Sequence, residues 1–307
     1  MIGFAVRRLL GLVPTLLVLV TVSFFIIRLA PGGPFDQEQV LSPAIRANLD
    51  AAFGLDQPLV TQYGRYLAGL ARGDLGPSFR YKDFRVTELI AGGLPLSLTI
   101  GFAAAILAFL VGVPLGAWAA WRANSWTDHA LMGSALLGVV LPGFVVGPVL
   151  ALLFGIYWPI FRIAGYEPWN PSFLVLPVVT LALPVAAYTA RLMRTSMHEV
   201  LQSNFVRTAK AKGLPTRVVL MRHALRPALM PVVSYLGPAI AFVLTGSLVV
   251  ESVFGLPGSG RFLVQGAIDR DYTLVMGMIL VYGVFTLVCN LIADLLYAWL
   301  DPRVRLA

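Results

Sequence analysis

The sequence predicts an all-α polytopic membrane protein with six transmembrane helices and a long external loop after the first. Three observations carry that reading. Of the 307 residues, 58% are hydrophobic and 12% are charged, against roughly 25% charged in soluble domains. Six apolar runs, at 9–29, 94–121, 130–158, 173–190, 228–250 and 274–300, come near or above the roughly 20 residues a helix needs to cross a hydrocarbon core. The runs are continuous rather than alternating, which favours helices over the strands of a barrel.

The first run follows Arg7-Arg8, as a signal peptide would. It is too long for a signal core, and Arg28-Leu29-Ala30-Pro31 follows it rather than a small-residue cleavage site, so it reads as an uncleaved anchor. Residues 30–93 form the external segment. Pro31-Gly32-Gly33-Pro34 ends the first helix. Ser42 is placed as N-cap and Pro43 as first helical residue of a short helix reaching Phe53. A second short helix is expected over 57–70. These elements can cap a membrane domain but are too few for a large core of their own.

Residues 94–307 then form a five-helix core with a cytoplasmic loop at 191–227. Its fourth run, 173–190, holds Pro177 and Pro184 and is expected to be the least regular. Proline and glycine recur in the other runs, at Pro14, Gly112-Val113-Pro114, Pro142-Gly143, Gly147-Pro148 and Gly237-Pro238. They fit either ordinary membrane-helix composition or kinks that shape a cavity.

With the N-terminus in the cytoplasm, Arg7, Arg8, Arg122, the basic group from Arg191 to Arg226, Arg303 and Arg305 fall inside. The short outer loops keep Arg162, Arg261 and Arg270. An even number of spans puts both termini in the cytoplasm. The formal charge of +8 sits at these inner edges, where insertion and anionic lipid account for it, and no nucleic-acid partner is implied. The one cysteine, Cys289, gives no disulfide framework.

Between the fourth and fifth runs lies Ser203-Asn204-Phe205-Val206-Arg207-Thr208-Ala209-Lys210-Ala211-Lys212-Gly213-Leu214-Pro215. It reads as a short helix. Asn204 or Ser203 can cap its start by accepting a backbone N–H bond. Lys210 and Lys212 suit the negative end of its dipole. Gly213 fits a left-handed stop, and Pro215 prevents continuation. Phe205 and Ala209 at i, i+4 are expected to share one face with Gly213, a knob for a groove on a soluble partner. A basic topogenic loop is the alternative.

The segment Glu251–Gly260 fits a glycine- and proline-rich turn or a packed re-entrant element. Asp294, near the inner end of the last run, is either a functional carboxylate or the partner of a cytoplasmic arginine. His129, His198 and His223 fall in cytoplasmic loops, so neither a midplane metal site nor an intramembrane catalytic pair is expected. No phosphate-binding loop of the G-x-x-x-x-G-K-[S/T] type occurs, so ATP hydrolysis is expected on another chain and no catalytic residue is assigned.

Asn204–Pro215 with Arg222-His223-Ala224-Leu225-Arg226-Pro227 is similar to the cytoplasmic motif of ABC importer permeases. Ala209 and Gly213 match its Ala and Gly, while Arg207 and Thr208 stand where the general form has Glu and Ala. The stretches from Arg7-Arg8 through Arg28–Phe35, Glu251–Gly260 and Asp269-Arg270-Asp271-Tyr272 resemble the B-type subunits of the branch that carries dipeptides, oligopeptides and nickel.

The resemblance implies an inner-membrane permease of an ATP-driven oligopeptide importer. Its partners would be a similar second permease, two cytoplasmic ATPases holding ATP and Mg, and an external peptide-binding protein. No cofactor would be bound by this chain. Asn204, Phe205, Arg207, Ala209, Lys210 and Gly213 would couple to an ATPase. Glu251, Phe254, Pro257, Gly258 and Gly260 would lie at an outer gate near the binding protein. The same architecture could import dipeptides, nickel or an oligosaccharide.

Overall fold

The computed structural model describes residues 2–30, 32–35 and 42–300. Pro31, Arg303 and Arg305 lie outside these residues, as do the side chains of Arg7 and Arg8. The described chain is helical, with one isolated bridge between Pro77 and Arg85.

Helix α1 (Ile2–Leu29) leads into the segment that the sequence is expected to place outside, here labelled the external segment, which holds α2 (Pro43–Phe53) and α3 (Leu59–Ala71). The start of α2 follows the sequence signal: Ser42 Oγ accepts the Ile45 N–H at 3.4 Å and Pro43 is the first helical residue. Gly54 at φ +66° ends it. Helix α4 (Val86–Trp121) begins eight residues before the expected 94, so the external segment ends at Arg85. The Glu88 carboxylate accepts the Arg85 N–H at 3.1 Å and fixes that earlier start.

The third run is not one straight helix. Helix α5 (Trp126–Val140) and α6 (Gly143–Ala151), continued by a π-helical turn over Leu152–Tyr157, meet at a bend of 103°. Pro142 has no N–H to continue α5, and it pushes Leu141 to ψ 119°, outside the helical region. Among the described residues, five helices are therefore long and apolar enough to cross a membrane, or six if the bent pair is one span. The fourth run behaves oppositely. Helix α7 (Ser172–Leu201) runs unbroken through Pro177 and Pro184, so residues 191–201 are helix rather than loop.

Close packing on α4 explains the regularity of α7. A Cβ on Gly112 would stand 2.7 Å from the Ala186 carbonyl oxygen, and one on Gly116 2.3 Å from that of Ala190. This small-x-x-x-small pair lets the two backbones approach and run parallel. Leu96, Ile100, Ala104 and Ala108 of α4 join Leu176, Leu181, Ala182 and Val185 of α7 in the main core.

After α7 come α8 (Asn204–Ala211), α9 (Thr216–Val218), a π-helical turn (Val219–Ala224) and α10 (Leu225–Ala228). Helices α11 (Met230–Val253), α12 (Gly260–Ile268) and α13 (Tyr272–Leu300) complete the chain. Gly237 of α11 faces Asn290 and Ala293 of α13, and Gly283 of α13 faces Leu16 and Leu19 of α1. Each of these pairs runs antiparallel. The start of α1 and the end of α13 thus lie at the end of the molecule that carries α8, and the external segment caps the far end.

Asp271 fastens that cap. It is fully buried before α13. Oδ1 accepts the Leu274 N–H and the Thr273 hydroxyl at 3.1 and 3.0 Å. Oδ2 accepts the Ser78 hydroxyl and the N–H groups of Phe79 and Arg80, the latter two at 3.1 and 3.3 Å. One carboxylate caps a helix and holds the external loop, across more than 190 residues of chain.

Candidate functional site: two opposed segments

At one end, Ser203 occupies the N-cap of α8 in an extended conformation, but its hydroxyl donates to the Val200 carbonyl at 2.6 Å. Neither Ser203 nor Asn204 supplies the expected side-chain cap. The α8 terminus matches expectation: Gly213 sits at φ +74°, its N–H reaches the Lys210 carbonyl at 2.9 Å, and the Leu214 N–H reaches Ala209 at 3.4 Å. Those two bonds form a Schellman stop. Pro215 then caps α9.

The faces of α8 differ from the sequence reading. Ala209 is 5% exposed and Val206 fully buried, in an apolar cluster with Ala120, Met193, Met197 and Val219. Phe205 is 48% exposed, and Asn204, Arg207, Lys210 and Gly213 are also exposed. Ala209 is therefore part of the seat of α8 rather than of an outward knob. Neighbouring residues on a helix diverge by about 100°, so Phe205 can point out while Val206 points in.

Nearby, Arg194 of α7 grips Asp128 of α5 through two bonds, Nη2 to Oδ2 at 2.7 Å and Nε to Oδ1 at 3.2 Å. Ser125 and Asp128 carry the sequence signal of a helix start, and Ser125 Oγ does accept the Asp128 N–H at 3.3 Å. The arginine 66 residues later had no local signal. His129 and His198 lie in helices rather than loops, and His223 in the π-helical turn. Asp294 is partly buried in the α8-end half of α13.

At the far end, the chain leaves α11 and folds back over it. Glu251 is 1% exposed, and its Oε2 accepts the Gly260 N–H at 2.8 Å. A Cβ on Gly258 would stand 2.2 Å from that oxygen, and one on Gly260 2.7 Å. Ser97 of α4 accepts the Ser259 N–H at 2.8 Å and lies 3.1 Å from its hydroxyl, which is in turn 3.4 Å from the Tyr282 hydroxyl. Phe254 and Leu256 are buried in the main core. Of the five residues expected at an outer gate, Glu251, Phe254, Gly258 and Gly260 are buried together, and Pro257 is exposed. The segment is a packed plug on α4, α11 and α13 rather than an open docking surface. Sequence reasoning missed Ser97, Ser259 and Tyr282, which have no motif of their own.

Two family descriptions match the chain. Residues 112–306 match the binding-protein-dependent transport system inner membrane component, and residues 1–100 match the N-terminal part of such membrane components. The oligopeptide transport system permease protein OppB of Haemophilus influenzae is 48% identical over 305 residues, covering 99% of this chain and all of that protein. OppB of Escherichia coli strain K12 is also 48% identical, with the same coverage. The dipeptide transport system permease protein DppB of Bacillus subtilis is 38% identical, covering 100% of this chain and 99% of its own length.

A crystal structure of an amino acid ABC transporter with histidines aligns with a TM-score of 0.53 at 19% identity, over 69% of this chain and 94% of that one, and supports the fold alone. The helical membrane architecture and the full-length similarity lead to one conclusion: the chain belongs to the family of binding-protein-dependent transport system inner membrane components and is an ABC importer permease.

Proposed function

We propose that this permease moves oligopeptides inward across the inner membrane, with both termini in the cytoplasm. The observation that carries the reading is 48% identity, end to end, to permeases named for oligopeptide transport. In this reading the α8 end faces the cytoplasm. Phe205, Asn204, Arg207 and Lys210 form the outward face that docks on an ATPase, while Ala209 and Gly213 seat and terminate the helix. ATP and Mg are bound by two such ATPases, and this chain hydrolyses nothing.

A second, similar permease completes the pathway. The exposed apolar side chains Phe102, Ile106 and Leu110 of α4 suit that permease or lipid as their cover. A peptide-binding protein delivers substrate to the far end. The plug around Glu251, Phe254, Pro257, Gly258 and Gly260 closes the outer side in this conformation and rearranges when substrate enters. Dipeptide import is the second reading, favoured by the 38% identity to a dipeptide permease.

The test is ATP-driven uptake in proteoliposomes holding the full complex with its binding protein. Labelled di-, tri- and pentapeptides would be compared with nickel and a disaccharide. ATP-dependent uptake of the longer peptides is expected. Uptake of dipeptides alone selects the second reading, and uptake of nickel or sugar alone rejects both.

A further inference from the structure

The far end also holds a cavity of about 400 Å³, set between the end of α1, α3 and the loop that leads into α4. Three arginines line it, Arg28, Arg65 and Arg72, with one acid, Asp74. Asp74 is already engaged. Its Oδ2 pairs with Arg85 at 3.2 Å, and its Oδ1 accepts the Gly76 N–H at 2.9 Å. Among the described residues the wall thus carries three arginines against one carboxylate that is already engaged.

Arg28 makes this imbalance acute. Its guanidinium lies over the rings of Phe24 and Tyr272, at 5.1 and 5.3 Å, and one of its terminal nitrogens donates to the Gln62 side-chain carbonyl. No ion pair to it is found among the described residues, and its Nε is buried without a hydrogen-bond partner. A partly buried guanidinium whose Nε has no partner is costly unless something pairs with it.

A second idle group stands on the same wall. The hydroxyl of Tyr66 is buried without a partner among the described residues. Burial pushes its phenol up to about 12, so at neutral pH it keeps its proton and offers an O–H. In native proteins unsatisfied buried groups of this kind call for a missing partner. Phe53, Phe79 and Leu75 supply apolar walls beside these donors. A volume of this size suits a small molecule or a headgroup.

We propose that this cavity binds an oxyanion, a carboxylate or phosphate group, with the exposed Arg65 and Arg72 as its attracting charge, and with Arg28 and Tyr66 turning onto it the idle Nε–H and O–H that this conformation closes off from solvent. Guanidinium groups match the planar acceptors of both anions. Two sources share that chemistry. Arg28 ends an apolar helix whose Ile26 and Leu29 are exposed, which puts the cavity at the level of the membrane interface. The anion can thus come from a lipid headgroup or from a small molecule in the external solution. The proposal does not depend on the substrate being a peptide.

The test uses the full chain in phosphatidylcholine nanodiscs. Its thermal unfolding would be followed while phosphate or succinate replaces chloride at constant ionic strength. A saturable rise in Tm is expected. Arg28→Gln should weaken the apparent affinity about tenfold or more, and Tyr66→Phe about threefold, as expected for losing a charge-assisted and a neutral hydrogen bond.

Discs containing phosphatidylglycerol assign the source. If that lipid alone stabilises the wild type, and less so Tyr66→Phe, the headgroup is the ligand. If Arg28→Gln does not fold, Tyr66→Phe and Arg72→Gln decide. No stabilisation by any anion or lipid, or equal stabilisation of wild type and variants, overturns the proposal.

Discussion

The two ends that bear the predicted functional segments differ in what fixes their register. Helix α8 is seated by Val206 and Ala209 in an apolar cluster and has no side-chain cap at its start. The turn after α11, besides burying Phe254 and Leu256 in the main core, is held by directed bonds among buried polar groups, Glu251 to Gly260 and Ser97 to Ser259, in space that only glycine leaves. Apolar contact is non-directional, so α8 can roll or tilt on its seat while staying buried. The far-end turn cannot shift without breaking hydrogen bonds between buried groups. In the proposed function this would let one end pass on a displacement as a body while the other holds one register until several bonds break together.

The sharpest way to break this contrast is Gly260→Val. Its Cβ would stand 2.7 Å from the Glu251 carboxylate and 2.8 Å from the Leu248 Cα, and the backbone atom cannot retreat within α11. We expect a loss of about 3 kcal/mol or more, read as a fall in Tm in detergent or as failure to accumulate in the membrane. Gly258→Ala meets mainly the Glu251 side chain. Combining it with Glu251→Ala should therefore recover about 1–2 kcal/mol relative to the sum of the single changes. A Gly260→Val protein as stable as wild type would show that the turn is loose.

How much of this was legible follows the range of the interactions. Ser42, Pro43 and Gly213 act within a few residues, and each was readable from its neighbours. The broken third run was harder. Pro14, Pro114, Pro177, Pro184 and Pro238 all lie inside unbroken helices, so a proline alone does not announce a bend. At Leu141-Pro142-Gly143 a helix-averse residue follows the proline and the chain turns.

The inward side of α8 was ambiguous for another reason. Phe205 with Ala209 at i, i+4 and Val206 with Ala209 at i, i+3 are equally good helical pairs. Only the cluster from α4, α7 and the π-helical turn decides between them. The bonds of Asp271 to the external loop and of Ser97 to Ser259 join residues more than 160 positions apart. Nothing local marks such partners.

The next test acts on the seat of α8. Ala209→Glu would put a carboxylate into a site lined by Met193, Met197 and Val219. Burying it unpaired is costly enough that the helix should leave its seat, a local loss of about 2–4 kcal/mol. A cysteine at the neighbouring buried position, Val206→Cys, reports the event. It should resist maleimide in the parent and react in the Ala209→Glu background. Coupled ATP turnover should fall with it. Continued protection of the cysteine would mean that Ala209 is not part of the seat.

The smallest effect on stability, and the finest test of the comparison, belongs to Phe205→Ala. The ring is 48% exposed and lies outside the cluster that holds α8, so the fold should lose no more than about 0.5 kcal/mol. An aromatic side chain set among exposed basic residues is the type that anchors an interface, where truncation commonly costs about 2 kcal/mol or more of binding. Paired measurements on one preparation separate the two roles. An unchanged Tm with peptide-stimulated ATP turnover lowered severalfold means that the outward face docks while the inward face seats. A fall in Tm comparable to that of Ala209→Glu would mean that Phe205 belongs to the seat. Unchanged turnover together with an unchanged Tm would remove Phe205 from the docking face and leave the exposed Arg207 and Lys210 to carry it.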